Sequence, residues 1–464
     1  MAKKPFIHPY IPNSVPEIKA EMMKEIGIQD IDELYSDIPD ALKFKSKLNL
    51  PDPILSECEL EQHVSKILDK NSTSREYLSF LGAGCYDHYV PAVCDEINRR
   101  PEFLTAYAGE PYEDHGRFQA LFEYESMMAE LLDMDVVNVP TYDWNQAAST
   151  AIRMAQRITG RNEAVVVKTI NPDRFLTIKN YCHPAVKIII ADFDKKTGLA
   201  DLEDLRKKIS SNTAAVYFEN PSFLGVLEEQ CNEISELAKQ NGALTIVGVD
   251  PISLGVIAPP SNYGADIVCG DVQSLGIHMN YGGGFAGFIA TRDEEKFVSQ
   301  YPSRLFGVTT TVVPGELGFG DVFYDRTSFA KREQGKEFVG TASALWGITA
   351  GVYLALMGPK GMEDIGKTIL QKSYYGAKEL AKVKNINSPY LSSAFFREFV
   401  VNFDDTGKTV EEINKMLLEK GIFGGKDLSQ TFPELGQSAL FCITERHTAS
   451  DIHKLVKSIE SILK

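Results

Sequence analysis

The chain is short of positive charge: 48 Lys and Arg stand against 64 Asp and Glu, a formal net charge of −16. Nucleic acid and anionic membrane are therefore poor partners, because Lys and Arg must supply the attraction to phosphate. Long apolar runs are missing as well, and no stretch approaches the roughly 18–20 apolar residues of a membrane span. The N-terminus, MAKKPFIHPYIPNSVPEIK, opens with two lysines, but prolines interrupt any signal-peptide core. A cytoplasmic location is the expectation. Cysteine is sparse and unpatterned: Cys58, Cys85, Cys94, Cys182, Cys231, Cys269 and Cys442 make an odd set without a CxxC pair. That excludes a disulfide framework or a cysteine zinc site and reads as reduced thiols. Internal repeats and low-complexity segments are also lacking.

What remains is a globular composition, 44% apolar and 24% charged over 464 residues, enough for a large domain with a smaller companion. Residues 1–60 read as a proline-punctuated arm. Its helical piece VPEIKAEMMKEIG places Ile18, Met22 and Ile26 on one face, and Asp30 is a plausible N-cap for a second short helix. Such an arm has apolar stripes but little bulk, which suits packing on a neighbouring subunit. Over 61–325, helix signals (NQAASTAIRMAQRITG, LEDLRKKIS, NEISELAKQNG) come to alternate with β-branched runs (AVVVK, VKIIIAD, AAVYF, LTIVGVD, GFAGFIAT). That alternation predicts βαβ units and a mostly parallel sheet covered on both faces. Around 301–360 the chain becomes loop-rich and then helical; a helical connection over 326–375 leads to a small α/β domain at 376–464, read from helical runs (YYGAKELAKV, VEEINKMLLEKG, ASDIHKLVKSIESILK) and strand-like ones (FFREFVVNF, SALFCIT).

One absence bears on chemistry. DIVCGDVQSLGIHMNYGGGFAGFIAT, residues 266–291, has the strand, turn and glycine layout in which many pyridoxal enzymes carry a lysine, yet its only basic side chain is His278. A partly buried amine is what forms and exchanges Schiff bases. Asp250, at the carboxyl end of LTIVGVD, could hold a pyridine nitrogen protonated; it could equally cap the turn before Pro251.

Other segments offer weaker candidates. LGAGCYDHYVP sets Tyr86, Asp87 and His88 beside two glycines. The stretch from Glu110 to His115 reads as a loop before a helix, with Glu113, Asp114 and His115 either metal ligands or a solvated helix start; adjacent residues rarely converge on one ion. TYDWNQAAS opens a helix whose N–H groups could hold a phosphate, although Trp144 and Asn145 are bulky for that and capping by Thr141 or Asp143 is the plainer reading.

In this order IPDALKFK, GAGCYDHYVPAVCDEINRRPEFLTAY, QALFEYESMMAELLDMDV, NPSFLG at 220–225 and the 266–291 stretch resemble one family over nearly the whole chain. It is the P-protein of the glycine cleavage system, glycine dehydrogenase (decarboxylating), and within it the N-terminal subunit (subunit 1, alpha) of the two-chain form. The resemblance implies a type I pyridoxal-phosphate fold of the aspartate aminotransferase kind, with a mostly parallel large-domain sheet and a small C-terminal α/β domain. It implies that pyridoxal phosphate is bound by a lysine-bearing second subunit, in an αβ unit that dimerises, and that the product aminomethyl group passes to the lipoyl arm of H-protein. Against that subunit's Asn-Leu-His-Lys-Thr stand Asp271, Val272, Gln273, Ser274 and Leu275, so Ser274 falls at the lysine position and cannot form the Schiff base. The resemblance further implies no catalytic residue in this chain, a contribution of Tyr86 and His88 to a wall of the partner's site, and Asp250 as a relic. The chain departs from the family pattern at 109–116, at Trp144 and at 332–340. An independent pyridoxal enzyme with its lysine moved to Lys168 (Lys296 is the other residue to test), a paralogue for another amino acid, and a non-catalytic scaffold are the competing readings.

Overall fold

The computed structural model describes residues 7–46, 48–103, 111–303, 305–322, 337 and 343–464, which fall into two compact units, Met1–Asn71 and Ser72–Lys464. The first unit therefore reaches past residue 60, because the helix Glu57–Leu68 belongs to it. Its helix Pro16–Ile26 starts on a proline, whose fixed φ suits the first turn, and stops at Gly27 with φ +85. Asp30 caps the 3₁₀ turn Ile31–Tyr35 in a reciprocal pair with Glu33. Neither α-helix of this unit has a buried residue.

The second unit is built on a seven-stranded sheet. Across it the strands run Val136–Val137, Gly287–Thr291, Ile267–Asp271, Leu244–Gly248, Thr213–Glu219, Glu163–Val167 and Lys187–Ala191. The last five of these are mutually parallel, whereas Gly287–Thr291 runs antiparallel to both of its neighbours. Helices cover both faces, so the strands read as unbroken apolar runs. Ala164, Val166, Ala215, Tyr217 and Ile246 pack with the helix Trp144–Thr159. On the opposite face Val165, Val216, Phe218 and Val247 meet Leu205, Ile234 and Ala238.

Three features were not expected from the sequence. The run before residue 81 joins the C-terminal layer, because Leu78 and Ser79 pair in parallel with Ile422 and Phe423 and Phe80 is buried in that layer's core. The helical runs expected on either side of residue 375 form one element, Ala344–Leu380, which bends at Gly358 and Pro359, where a proline cannot continue the ladder. Within the loop-rich stretch, Phe306–Thr310 and Leu317–Asp321 form an antiparallel hairpin. The C-terminal sheet pairs Glu398–Asn402 with Ser438–Cys442, backed by the helices Val410–Glu419 and Ala449–Ile462.

Candidate functional site

In the parallel part of the sheet the chain leaves Glu163–Val167 for the edge strand Lys187–Ala191, then returns to the other side at Thr213–Glu219. Such a reversal opens a crevice at the carboxyl ends of the strands. Asn171, Glu219, Asp250 and Ser274 all follow or end strands on that side.

Asp250 is 5% exposed and fulfils the capping reading: its Oδ1 accepts from Ile252 N at 3.3 Å at the start of the turn Pro251–Gly255. It does more. The Ser274 hydroxyl donates to the same oxygen at 3.0 Å, and Oδ2 lies 3.1 Å from Arg397 Nη2. Arg397, 3% exposed, stacks on the Tyr86 ring, its guanidinium carbon 3.2 Å from the ring centroid. Its Nη1 donates to His88 Nε2 at 3.0 Å. Because arginine can only donate, that imidazole nitrogen is the acceptor and Nδ1 carries the proton, which it donates to Glu445 Oε2 at 2.7 Å. Glu445 also accepts from Tyr89 N at 2.6 Å. One buried series thus runs from Glu445 through His88 and Arg397 to Asp250 and Ser274.

A second arginine sits across the crevice. Arg174 pairs with Glu219 and lies flat over Trp144, 3.7 Å from its ring. The Tyr217 hydroxyl donates to Glu219 Oε1 at 2.9 Å and accepts from Trp144 Nε1 at 3.2 Å. The N-terminus of the helix Trp144–Thr159 is capped by Asp143, whose Oδ1 accepts from Gln146 N at 2.8 Å. A carboxylate thus occupies the anion-favouring end of that helix. Thr141 does not take that place; its hydroxyl lies 3.2 Å from both the Asp143 and Gly287 carbonyls.

Burial opposes charge, and neighbours decide the outcome. It would depress both arginines, but Asp250 beside Arg397 and Glu219 beside Arg174 outweigh it, and both pKa values move up. Burial raises Tyr86, whose hydroxyl donates to Glu398 Oε2 at 2.9 Å. It also raises Glu398, despite Arg397. It pushes Asp271 up to about 7, against the Gln273 N–H and Arg174. Glu445 goes the other way: burial would raise it, but the His88 imidazole and the Tyr89 N–H hold it down to about 2.

Pyridoxal phosphate needs a carboxylate for its ring nitrogen, an amine for its aldehyde and a cradle for its phosphate. The carboxylate here is already paired with Arg397, a serine stands on it, and Asp143 holds the helix end. The cavity bounded by Tyr86, Trp144, Arg174, Glu219, Asp250 and Arg397 measures about 20 Å³, room for about one water molecule. These residues do not fit the cofactor.

Of the residues singled out in the sequence, Tyr86, His88, Asp250, Ser274, Asp143 and Trp144 all come to this crevice. Asp87 turns away to pair with Arg446. Lys168 is held by Glu434 at 2.5 Å, with Asp192 at 3.9 Å, and Lys296 by Glu294 at 2.7 Å. Glu110 and Arg332 lie outside the described residues. Glu113, Asp114 and His115 do not lie in a loop: the helix Pro111–Leu132 starts before them, as a proline at the first position and acids in the first turn favour. Among the described residues no His, Cys, Asp or Glu cluster could hold a metal ion, and no helix is long and apolar enough to cross a membrane. Sequence reasoning missed Arg174, Glu219, Arg397, Glu398 and Glu445. The one legible signal was the adjacent Arg397 and Glu398 inside the apolar run FFREFVVNF.

The sheet order, the C-terminal α/β layer and the strand-end crevice define a protein of the type I pyridoxal-phosphate fold. Similar folds are seen in a sphingosine-1-phosphate lyase of Burkholderia pseudomallei (TM-score 0.64, 12% identity, 92% and 94% of the two chains) and a NifS-like protein of Rickettsia africae (0.61, 14%, 83% and 99%). A family model described as glycine cleavage system P-protein matches residues 8–459. This chain belongs to that family. It is 40% identical to the probable glycine dehydrogenase (decarboxylating) subunit 1 of Staphylothermus marinus over 98% of each chain, and 39% identical to that of Saccharolobus solfataricus, again over 98% of each. The crystal structure of an inhibitor-bound glycine decarboxylase (P-protein) superposes with a TM-score of 0.84 at 29% identity, covering 98% of this chain and all of that one.

Proposed function

We propose that this chain is subunit 1 of a two-subunit glycine dehydrogenase (decarboxylating) and is the half that does not carry the cofactor. A second subunit binds pyridoxal phosphate on its own lysine and decarboxylates glycine; the aminomethyl group then passes to the lipoyl arm of H-protein. The observation that carries this reading is that Asp250 is already paired with Arg397 and Ser274. Relatives named as subunits of the same enzyme support it.

The chain's work is then assembly. Ile18, Met22 and Ile26 on one helix of the first unit, and Leu60, Val64 and Ile67 on the other, are all at least 40% exposed, a surface suited to covering by the partner. Tyr86 and His88 fix the 84–90 segment through Gln273, Glu398, Arg397 and Glu445, and through it they contribute to a wall of the partner's site. The αβ unit pairs with a second copy, in the cytoplasm.

Co-expression with a lysine-bearing subunit tests the whole reading. A stoichiometric complex should form, and exchange of labelled bicarbonate into glycine should require both chains. Exchange by this chain alone, or a borohydride-trapped adduct on Lys168 or Lys296, would overturn it. Inactivity of the pair on glycine with activity on another amino acid would indicate a paralogue, and a complex inactive on every amino acid a scaffold.

A further inference from the structure

We infer that Arg397 is a built-in substitute for a cofactor ring: a flat cation carried by the chain itself that occupies the carboxylate of the relic site and locks the C-terminal layer onto the large sheet. The chemistry of the two groups corresponds. A pyridinium is a planar, delocalised cation whose ring N–H is held by a carboxylate. The guanidinium has Asp250 3.1 Å from its edge and Tyr86 3.2 Å from its face, a geometry in which Lys is no equivalent. The anion that such a cofactor would place at the neighbouring helix N-terminus is replaced by the Asp143 carboxylate.

The backbone is shaped to deliver this side chain. Arg397 has φ +62, a left-handed conformation that costs a non-glycine residue and persists only where surroundings over-determine it. Here they do: Phe396 N donates to Gly225 O at 2.9 Å, and Ile443 N donates to Arg397 O at 3.0 Å. The side chain then bridges layers distant in sequence, touching Tyr86 and His88 before the sheet, Asp250 at its centre, and through His88 Glu445 in the C-terminal layer. This join is made by the chain's own side chains and needs no ligand.

Thermal unfolding of the full chain tests this. Arg397→Ala deletes the atoms of ethylguanidinium, so that cation at about 10 mM is the probe, with ethylammonium as the equally charged but non-planar control. We expect Arg397→Ala to lower Tm by roughly 3–8 °C. Ethylguanidinium should recover about 2 °C or more of this, ethylammonium should not, and wild type should respond to neither. Equal recovery by the two cations, or none by either, overturns the proposal. Should the alanine variant fail to fold, Arg397→Lys is decisive: it should lose most of the same Tm, and a wild-type Tm refutes the planar-cation role. Occlusion has its own readout. Ser274→Lys alone should give no visible absorption band with pyridoxal phosphate, while Ser274→Lys with Arg397→Ala should give one; a band in the single variant, or none in the folded double variant, refutes occlusion. Neither readout depends on glycine turnover, so this proposal and the proposed function fail separately.

Discussion

Gln273 and Tyr86 bond each other in both directions: Tyr86 N donates to Gln273 Oε1 at 3.1 Å, and Gln273 Nε2 donates back to Tyr86 O at 2.9 Å. A single amide side chain, 1% exposed, thereby acts as the missing strand partner for a segment 187 residues away. The same Nε2 reaches Ile277 O at 3.1 Å, so Gln273 also shapes the turn that carries Ser274. The ring that stacks on Arg397 is held in place from here.

Gln273→Leu keeps the volume and removes all three bonds. It leaves the Tyr86 N–H without its partner, while the Tyr86 carbonyl keeps the bond from His88 N at 3.0 Å; the orphaned donor costs about 1–3 kcal/mol. A urea titration should show the midpoint fall with little change in slope. A loss well under 1 kcal/mol would mean that the 81–91 segment is held by its other contacts.

Gly225 should tolerate no side chain. Its φ is +81, and a Cβ there would overlap the backbone carbonyl of Glu398. Backbone, unlike a flexible side chain, cannot step aside, so Gly225→Ala is expected to cost about 3 kcal/mol or more. Gly27→Ala is the matched control: φ is +85 but nothing lies within 4 Å, so only the conformational cost of about 1 kcal/mol remains.

Asp271 makes stability depend on pH near neutrality. Its folded pKa, about 7, is above the ordinary 3.8, so between roughly pH 4 and 7 the folded chain keeps a proton that the unfolded chain has lost. Stability from this group therefore falls as pH rises through that window and stays reduced above it. Asp271→Asn should be more stable than wild type by on the order of 1–2 kcal/mol at pH 8 and equal to it near pH 4. Denaturant midpoints at the two pH values measure the difference.

Glu445 has the opposite sign. Its pKa is held at about 2 against an ordinary 4.5, so its contribution is complete above about pH 4.5 and is lost as pH falls toward 2. Glu445→Gln should cost on the order of 2–3 kcal/mol at pH 7, and the gap from wild type should narrow in acid. A gap that stays constant with pH would assign the loss to packing instead of charge.

The sheet was legible because its strands are buried on both faces and punctuated by amphipathic helices, a pattern that survives without tertiary information. LTIVGVD, AVVVK and AAVYF read plainly as strands, and Asp250 followed as a strand-end residue, whereas Ser274 was marked only by the family resemblance. The helix Pro111–Leu132 was placed too late because its charged first turn, EDH, resembles a loop. The helical run YYGAKELAKV was legible, but not that it continues the helix before it: packing of Ile369 and Leu380 carries Ala344–Leu380 unbroken across the expected domain boundary at residue 375.

The local order of side chains determined the α/β class, the family, the position of the strand-end carboxylate and the lack of a lysine opposite it. Those properties depend on periodicity and on residue identity at single positions. Which cation would sit on Asp250 was decided only in three dimensions. Arg397 is 147 residues from Asp250 by their numbering and comes from the edge of another sheet, and its approach depends on a left-handed backbone at Arg397, next to which Gly225 leaves room for the Glu398 carbonyl. Ion pairing at that range has no period in the chain; it exists only because packing the C-terminal layer against the large sheet excludes water from both charges at once.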